Sequence, residues 1–380
     1  MAVRTAAYAY PWDINGDPHA AERFAELGVD AVVLAAAYHS VRAATPRHPR
    51  HRLVDARSAA LYMPVRAEGW GELIPADASP WAGERSFTRA AGELRLVGLP
   101  VRAWVVLTHS TAVGQANPWT CLRNAFGDVY PYALCPNVPA VREYARTLVG
   151  EVVRQSGVTD VVLEACGPMG VGHLGHHEKT AGADWSDQES ALLSICFCDA
   201  CTTSLADAGV DPGQLAARIR AGESSAAMAP DIEVVLRIRV EATRLLRETV
   251  VAEAQAAGAV GIAMHAVADP WATGPAAAVT GPDLSSPSAV SSYVVPAWEL
   301  GAQGVERVRA MRTVVDASVA AYVTVLPPTP ADPDALAGHW RELVAAGADE
   351  LHLYHVGLAS DRRLAAMQMA IEDLTGKVRR

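Results

Sequence analysis

The sequence predicts an α/β fold of the (β/α)8, or TIM-barrel, type, built as a single domain over residues 1–380 with long loop insertions after strands 2 and 4. Three observations predict it. Eight short apolar runs alternate with amphipathic segments along the chain. Most of these runs are rich in Val, Ala and Ile and barely alternate with polar residues, as parallel strands buried on both faces do. Helix start and stop signals fall in the gaps between them. Eight strands alternating with helices point to a closed barrel rather than an open sheet. The competing doubly wound sheet would carry a G-x-G-x-x-G turn after its first strand, and none follows the run ending at Tyr10.

In order, the runs are Thr5–Tyr10, Ala31–Tyr38, Val101–Leu107, Asp160–Leu163, Val260–Met264, Val290–Val295, Val319–Leu326 and Leu351–Tyr354. Asp17-Pro18 opens a helix that stops near Gly28. Val138-Pro139 opens one that passes Tyr144 and Val152 towards Gly157. A long helix spans about Ile232 to Ala257 and stops at Gly258, and Asp332-Pro333 opens another that ends near Gly347. Proline just inside the start and glycine just past the end is the asymmetry helices favour. Two connections exceed the plain repeat: His39 to Arg85 after the second strand, and Gly167 to Pro230 after the fourth. In a barrel both lie at the C-terminal face, where sites are built. The insertion 167–230 carries a histidine-rich loop and a cysteine cluster.

Hydrophobic residues make up 51% of the chain, enough for a large core at this length. A net charge of −10 gives no electrostatic reason to seek nucleic acid or an anionic membrane, and leaves a neutral ligand such as a sugar compatible. No apolar run reaches membrane-span length, and the first residues lack the layout of a signal peptide. The expectation is a soluble, cytoplasmic protein, free to form a homo-oligomer, whose six cysteines serve metal binding or packing rather than disulfides.

Cys196, Cys198 and Cys201 form C-x-C-x2-C, and thiolates this close in sequence converge readily on one tetrahedral ion, the geometry zinc prefers. A fourth ligand must come from elsewhere: Cys135 is the best candidate, with Cys121 and Cys166 as the others. Four thiolates would close the shell and make the metal structural. The segment from Cys135 to Tyr144, C-P-N-x-P-x-V-R-E-Y, resembles the stretch before the fourth strand in family 42 β-galactosidases. Those (β/α)8 enzymes carry a C-x-C-x2-C cluster downstream, completed by the lone upstream cysteine. The resemblance covers roughly Leu107 to Cys201, and extends more loosely to uncharacterised barrel proteins of glycoside-hydrolase type. It implies a structural zinc on Cys135, Cys196, Cys198 and Cys201, and an acid/base glutamate at the end of the fourth strand, where Val161-Val162-Leu163-Glu164 stands. Three departures accompany it. Leu163 replaces the usual Asn, the interval from Glu164 to Cys196 is longer, and the expected nucleophile glutamate is missing from the seventh strand, Tyr322-Val323-Thr324-Val325-Leu326-Pro327-Pro328.

Glycoside hydrolysis needs two carboxyl groups flanking the scissile bond, one protonated and one ionised. Glu164, at the end of a buried strand, suits the acid. Asp269, after the fifth strand, and Glu299, after the sixth, are candidates for the second carboxylate. Each lies near a tryptophan, Trp271 or Trp298, whose indole face suits a sugar. Asp13 and Glu178 are weaker candidates. His39, His109 and His265 follow strands, and His352 and His355 belong to the eighth. With Tyr10, Trp12 and Tyr354 they make a polar pocket with aromatic walls. His173, His176 and His177 lie in a glycine-rich loop that reads as a substrate-binding loop or a solvated turn rather than a second metal site, since it lacks H-E-x-x-H spacing. Three functions compete. One is a glycosidase acting on a small glycoside. Another is a metal-dependent lyase, isomerase or hydrolase using strand-end histidines. The last is a non-catalytic sugar-binding barrel.

Overall fold

The computed structural model describes residues 3–172, 179–277 and 289–376. Eight parallel strands follow one another around a closed barrel: β1 (Arg4–Ala9), β2 (Ala31–Tyr38), β3 (Val101–Val106), β4 (Asp160–Glu164), β5 (Gly261–His265), β6 (Ser292–Pro296), β7 (Ser318–Thr324) and β8 (Glu350–Tyr354). Closure is explicit in the register, because β1 pairs on one side with β2 (Tyr8 opposite Val33) and on the other with β8 (Ala6 opposite His352). All eight sequence-predicted strands are present. The complete burial of β2, Ala-Val-Val-Leu-Ala-Ala-Ala-Tyr, shows why its pattern barely alternates: helices cover one face and the barrel interior the other.

Among the described residues, seven helices wrap the outside: α1 (Ala20–Ala25), α2 (Ser86–Leu96), α3 (Pro139–Ser156), α4 (Ala229–Ala256), α5 (Ala302–Val314), α6 (Pro333–Ala345) and α7 (Asp361–Thr375). The ends of α3 and α6 match the sequence signals, whereas α1 begins at Ala20, past Asp17-Pro18, and stops at Ala25. Pro139 sits in the first turn of α3, and Gly157 closes it with a left-handed φ of 61°. Asp332 caps α6 by accepting from the Asp334 and Ala335 amides. No described helix is long and apolar enough to cross a membrane.

The insertion after β2 forms an antiparallel hairpin, Val41–Ala44 with Leu53–Ala56, and a short strand, Ala60–Leu61, that pairs antiparallel with β2. After β3 the chain forms a second hairpin, Cys121–Arg123 with Val129–Leu134. Within the insertion after β4, helices Asp187–Leu193, Asp199–Asp207 and Pro212–Arg220 bury Leu192, Ile195, Phe197, Leu205, Leu215 and Ile219 in a satellite core. That core rests on Val234 and Val235 at the start of α4, so the insertion is anchored to the barrel wall through the longest helix.

Candidate active site

Side chains at every second position of a strand share a face. On the inner faces this places Tyr8 and Tyr10 from β1 and its end, Arg102 and Trp104 from β3, Glu164 from β4, His265 from β5, Tyr322 from β7, and Glu350, His352 and Tyr354 from β8. Ring contacts across the barrel confirm the placement. Tyr8 meets Trp104 at 4.7 Å, Tyr322 at 4.9 Å and His352 at 5.5 Å between centroids.

Glu164 ends β4 with 5% of its surface exposed, and the Trp104 indole N–H donates to its Oε2 at 2.8 Å. Burial pushes its carboxyl up to about 8, against the opposing pull of that indole bond. At neutral pH it therefore carries a proton. His265 Nε2 lies 3.8 Å from the same oxygen, and burial holds His265 well below the usual histidine range, with His352 adding to the effect. The Tyr8 hydroxyl bridges His265 Nε2 and His352 Nδ1, both at 2.9 Å. At the N-terminal end of the barrel Arg102 pairs with Glu350 at 2.7 Å, next to His352.

Above Glu164 the barrel mouth is aromatic. Trp298, 40% exposed, stacks on Tyr354 with centroids 5.0 Å apart and planes 20° from parallel. The Tyr354 and Tyr10 hydroxyls lie 3.4 Å apart. Tyr10 is sandwiched between Trp12 and His355, at 4.7 and 4.2 Å. Trp12 and His355 are buried, so they form the wall behind Tyr10 rather than an open face. His39 stacks beside Tyr38 and faces His109 at 4.4 Å. Both histidines line a cavity of about 750 Å³ that continues along Tyr130 and Tyr132. His177, with His173, His176 and Glu178, lies outside the described residues.

The structure places the other sequence candidates at the rim. Asp269 is exposed, and its Oδ1 accepts the Trp271 amide at 2.9 Å. Trp271 is half-buried against the satellite core, with the Arg239 guanidinium 5.8 Å from its ring centre. Glu299 is exposed and accepts from Arg307 at 3.2 Å. Asp13, by contrast, is buried just beyond β1. Its Oδ2 accepts the Tyr10 amide at 2.7 Å and lies 3.8 Å from His355 Nδ1. Burial pushes the Asp13 carboxyl up to about 7 and the His355 ring down to about 3. Gly357 packs directly on that carboxyl, where any Cβ would overlap it. Tyr8, Tyr38, Trp104, Tyr322, Arg102 and Glu350 escaped sequence reasoning. Their signal was the period-two placement of polar and aromatic residues within the apolar runs, as in Arg102-x-Trp104 and Glu350-x-His352-x-Tyr354.

The cysteine cluster forms at the junction of the second hairpin and the insertion. Cys135, Cys196, Cys198 and Cys201 bring their sulfurs within 4.8 Å of one another. A tetrahedral ion with bonds of about 2.3 Å would set its ligand sulfurs roughly 3.8 Å apart, so the group fits zinc. The thiols act on one another: hydrogen bonds from Cys135, Cys196 and Cys201 pull Cys198 far below the usual thiol range, while Cys135 and Cys201 are pushed well above it. Asn137 Nδ2 braces the site, donating to the Ala200 carbonyl at 3.1 Å and approaching the Cys201 sulfur at 3.7 Å. Cys121 and Cys166, the alternative fourth ligands, stand apart. Burial pushes their thiols up to about 11 and about 12. Among the described residues, the four cysteines are the only group of three or more His, Cys, Asp or Glu side chains placed to share an ion.

No family model matches the sequence, and no curated protein matches it. Solved structures do match the fold. α-L-Fucosidase isoenzyme 2 from Paenibacillus thiaminolyticus superposes with a TM-score of 0.56 at 12% identity, covering 98% of this chain and 49% of its own. The catalytic domain of β-amylase from Paenibacillus polymyxa gives 0.56 at 11%, covering 98% of each chain. A β-galactosidase from the psychrophilic Marinomonas ef1 gives 0.54 at 10%, covering 97% of this chain and 59% of its own. The chain thus spans about half the length of the fucosidase and under two thirds of the galactosidase. At these identities the likeness is one of fold, the (β/α)8 barrel.

Proposed function

We propose that this barrel is a carbohydrate-active hydrolase in which Glu164 gives its proton to a glycosidic oxygen. The observation that carries the reading is a buried carboxyl at the C-terminal end of β4, fixed by the Trp104 indole and protonated up to about pH 8. An acid of this kind needs to keep its proton at the working pH until the leaving group takes it. The Trp298–Tyr354 stack supplies the aromatic face on which a sugar ring rests, and the neutral, hydroxyl-rich walls suit an uncharged glycoside. The three named barrel neighbours act on glycans by their titles, which supports the same substrate class. The second carboxylate is drawn from Glu299 and Asp269 at the rim and Asp13 behind Tyr10. The four cysteines hold a structural zinc that ties the insertion to the barrel and takes no part in the chemistry.

The test compares glycosides with good and poor leaving groups in wild type and Glu164→Gln. Loss of a general acid costs about 10²–10⁴ in rate for a poor leaving group, and much less for a nitrophenolate that needs no proton. Because the protonated form acts, activity falls as pH rises through about 8. Glu299→Gln, Asp269→Asn and Asp13→Asn then identify the partner as the variant whose loss azide rescues or whose loss equals that of Glu164→Gln. Equal losses for both substrate classes in Glu164→Gln would remove the acid role. A second reading, a sugar-binding barrel without turnover, is favoured by one observation: β7, Ser318–Thr324, carries no carboxylate. Saturable sugar binding with no hydrolysis of any glycoside would select it.

A further inference from the structure

The hairpin after β3 carries an aromatic surface that the acid chemistry does not use. Tyr130 and Tyr132 alternate with Val129, Pro131 and Ala133 on the strand Val129–Leu134, so their rings share one face of the hairpin. The ring centres lie 5.9 Å apart and the planes 2° from parallel. Each phenol is fixed at its tip. The Tyr132 hydroxyl donates to the Gly170 carbonyl at 2.9 Å. The Tyr130 hydroxyl donates to the Leu193 carbonyl at 3.1 Å and accepts from Asn124 Nδ2 at 3.0 Å. Both side chains are nevertheless only half-buried. Two rings held in this way lose little further freedom when a ligand lies against them.

Both tyrosines border two cavities. One is the cavity of about 750 Å³ that holds His39 and His109. The other, of about 910 Å³, lies between the hairpin and the insertion after β4, with Trp185, 41% exposed, on its wall. A site for a whole small-molecule ligand occupies roughly 300–1,000 Å³, so the two cavities together offer more room than one sugar ring fills. Ring contacts join this surface to Glu164. From the Trp104 indole that holds the carboxyl they pass to Tyr38 at 4.4 Å, His39 at 4.0 Å, His109 at 4.4 Å and Tyr132 at 6.2 Å. An aromatic wall therefore runs from the end of β4 past the ends of β2 and β3 to the hairpin.

Charge along this path is nearly balanced, and most of it is engaged within the protein. Arg57 pairs with Asp55 at 3.0 Å, and Glu223 with Arg218 at 2.9 Å. Glu189 accepts the Ser186 amide at 2.8 Å, and Asp128 accepts from Asn124 Nδ2 at 3.1 Å. The arginines that remain, Arg42 and Arg220, border different cavities, so no pair of cations converges on an anion. Aromatic faces beside hydroxyl and amide groups suit an uncharged ligand rich in hydroxyls.

We propose that the Tyr130–Tyr132 face is an oligosaccharide-binding platform, and that the substrate is an uncharged chain of several sugars, held from the barrel mouth across the hairpin towards Trp185, rather than a small glycoside. The inference deepens the reading of the barrel as a carbohydrate-active hydrolase and rests on that reading for its ligand class. Cys135 follows Leu134 directly, so the four-cysteine cluster anchors the end of the strand that carries both rings.

The experiment is calorimetric titration of the full chain carrying Glu164→Gln, so that bound sugar stays intact. The probes are cellohexaose, mannohexaose, xylohexaose, chitohexaose and maltohexaose, each beside its disaccharide. At least one hexasaccharide binds about tenfold or more tightly than its disaccharide, the worth of one well-packed aromatic anchor. Tyr130→Ala combined with Tyr132→Ala removes that gain and leaves the hexasaccharide at the affinity of the disaccharide. If this pair fails to fold, Trp185→Ala, at an exposed side chain, decides in its place by lowering the gain. Absence of any length dependence across the five sugars overturns the platform, as does a gain that survives the substitutions in folded protein. The two claims fail separately. Length-dependent binding without turnover by the wild type would retire the hydrolase, and hydrolysis of a simple aryl glycoside without length-dependent binding would retire the platform.

Discussion

Replacing Glu164 with Gln should make the protein relatively more stable as the pH rises. In the folded state the carboxyl titrates near 8, against 4.5 for a solvated glutamate. The native state therefore binds the extra proton over this window, and wild-type stability falls as pH climbs from 4.5 through about 8. At about 1.4 kcal/mol per unit, the accumulated loss reaches an upper bound of about 5 kcal/mol. Glutamine has the same shape, keeps an oxygen for the Trp104 indole and cannot ionise. Asp13 destabilises the fold in the same direction as it ionises near 7, but it does so equally in both proteins and cancels from their difference. Urea unfolding of both proteins at a series of pH values reads the difference directly. Near pH 4.5 the variant should be equal to or slightly less stable than wild type. Above 8 it should exceed wild type by several kcal/mol, with the crossover inside that window. A difference that stays constant with pH would falsify the claim that Glu164 is buried as a neutral acid, and with it the basis for a proton donor.

Three further changes probe the scaffold. Cys198→Ser should release one zinc per chain, measured by elemental analysis, and lower the melting temperature by several degrees, because the insertion loses its tie to Cys135; full zinc retention would dismiss the site. Arg102→Met leaves Glu350, whose side chain is 2% exposed, with Arg4 and His352 each at 3.7 Å, and should cost about 3 kcal/mol by chemical denaturation. His352 and Arg102 hold Glu350 well below the usual carboxylate range against the effect of burial, so this cost is present at neutral pH and vanishes as pH falls through that depressed midpoint. Gly357→Ala drives a methyl into the Asp13 carboxyl and should destabilise by about 1–3 kcal/mol, and Gly357→Ala combined with Asp13→Ala should recover much of it if that overlap is the cause.

The strands were legible because each is buried on both faces by its immediate neighbours, which leaves a local record as an apolar run. The helices were legible where caps are local too, as at Pro139, Gly157 and Asp332. The hairpin Val41–Ala44 with Leu53–Ala56 was not read within the long connection after β2. Its strands have a single covered face and only four residues each. The cysteine site was legible through spacing, and the structure selects Cys135 over Cys121 and Cys166 by bringing its sulfur to 3.5 Å from Cys201. Asp13 was hard to see because its burial comes from Gly357 and His355, more than three hundred positions away in sequence. Glu164 drew notice through its place at a strand end, but its protonation comes from burial by side chains distant in sequence and holds against the pull of the Trp104 indole, sixty residues earlier.

The inner face of the barrel explains both the success and the gap. Barrels of this type are commonly filled by branched aliphatic side chains in layers. Here the central layer is Tyr8, Trp104, His265, Tyr322 and His352, all of them bulky and most of them polar. Such a layer needs room beneath it, and three of its five members have it: Ala6 precedes Tyr8 by two, Ala263 precedes His265 by two and Ala320 precedes Tyr322 by two, each buried, while the Arg102–Glu350 pair fills the space beneath Trp104 and His352. Alanine at these positions reads as generic strand composition until the partner layer is known. The same arrangement strips water from every polar group in the layer, which is why Glu164 holds its proton and the histidines stay neutral. It also forces the hydrogen bonds among them to be complete, since a single unpaired donor there would cost roughly 1–3 kcal/mol. A barrel selected for stability alone would have little reason to fill its centre this way. The layer gives Glu164 the water-free setting that its proposed acid role needs.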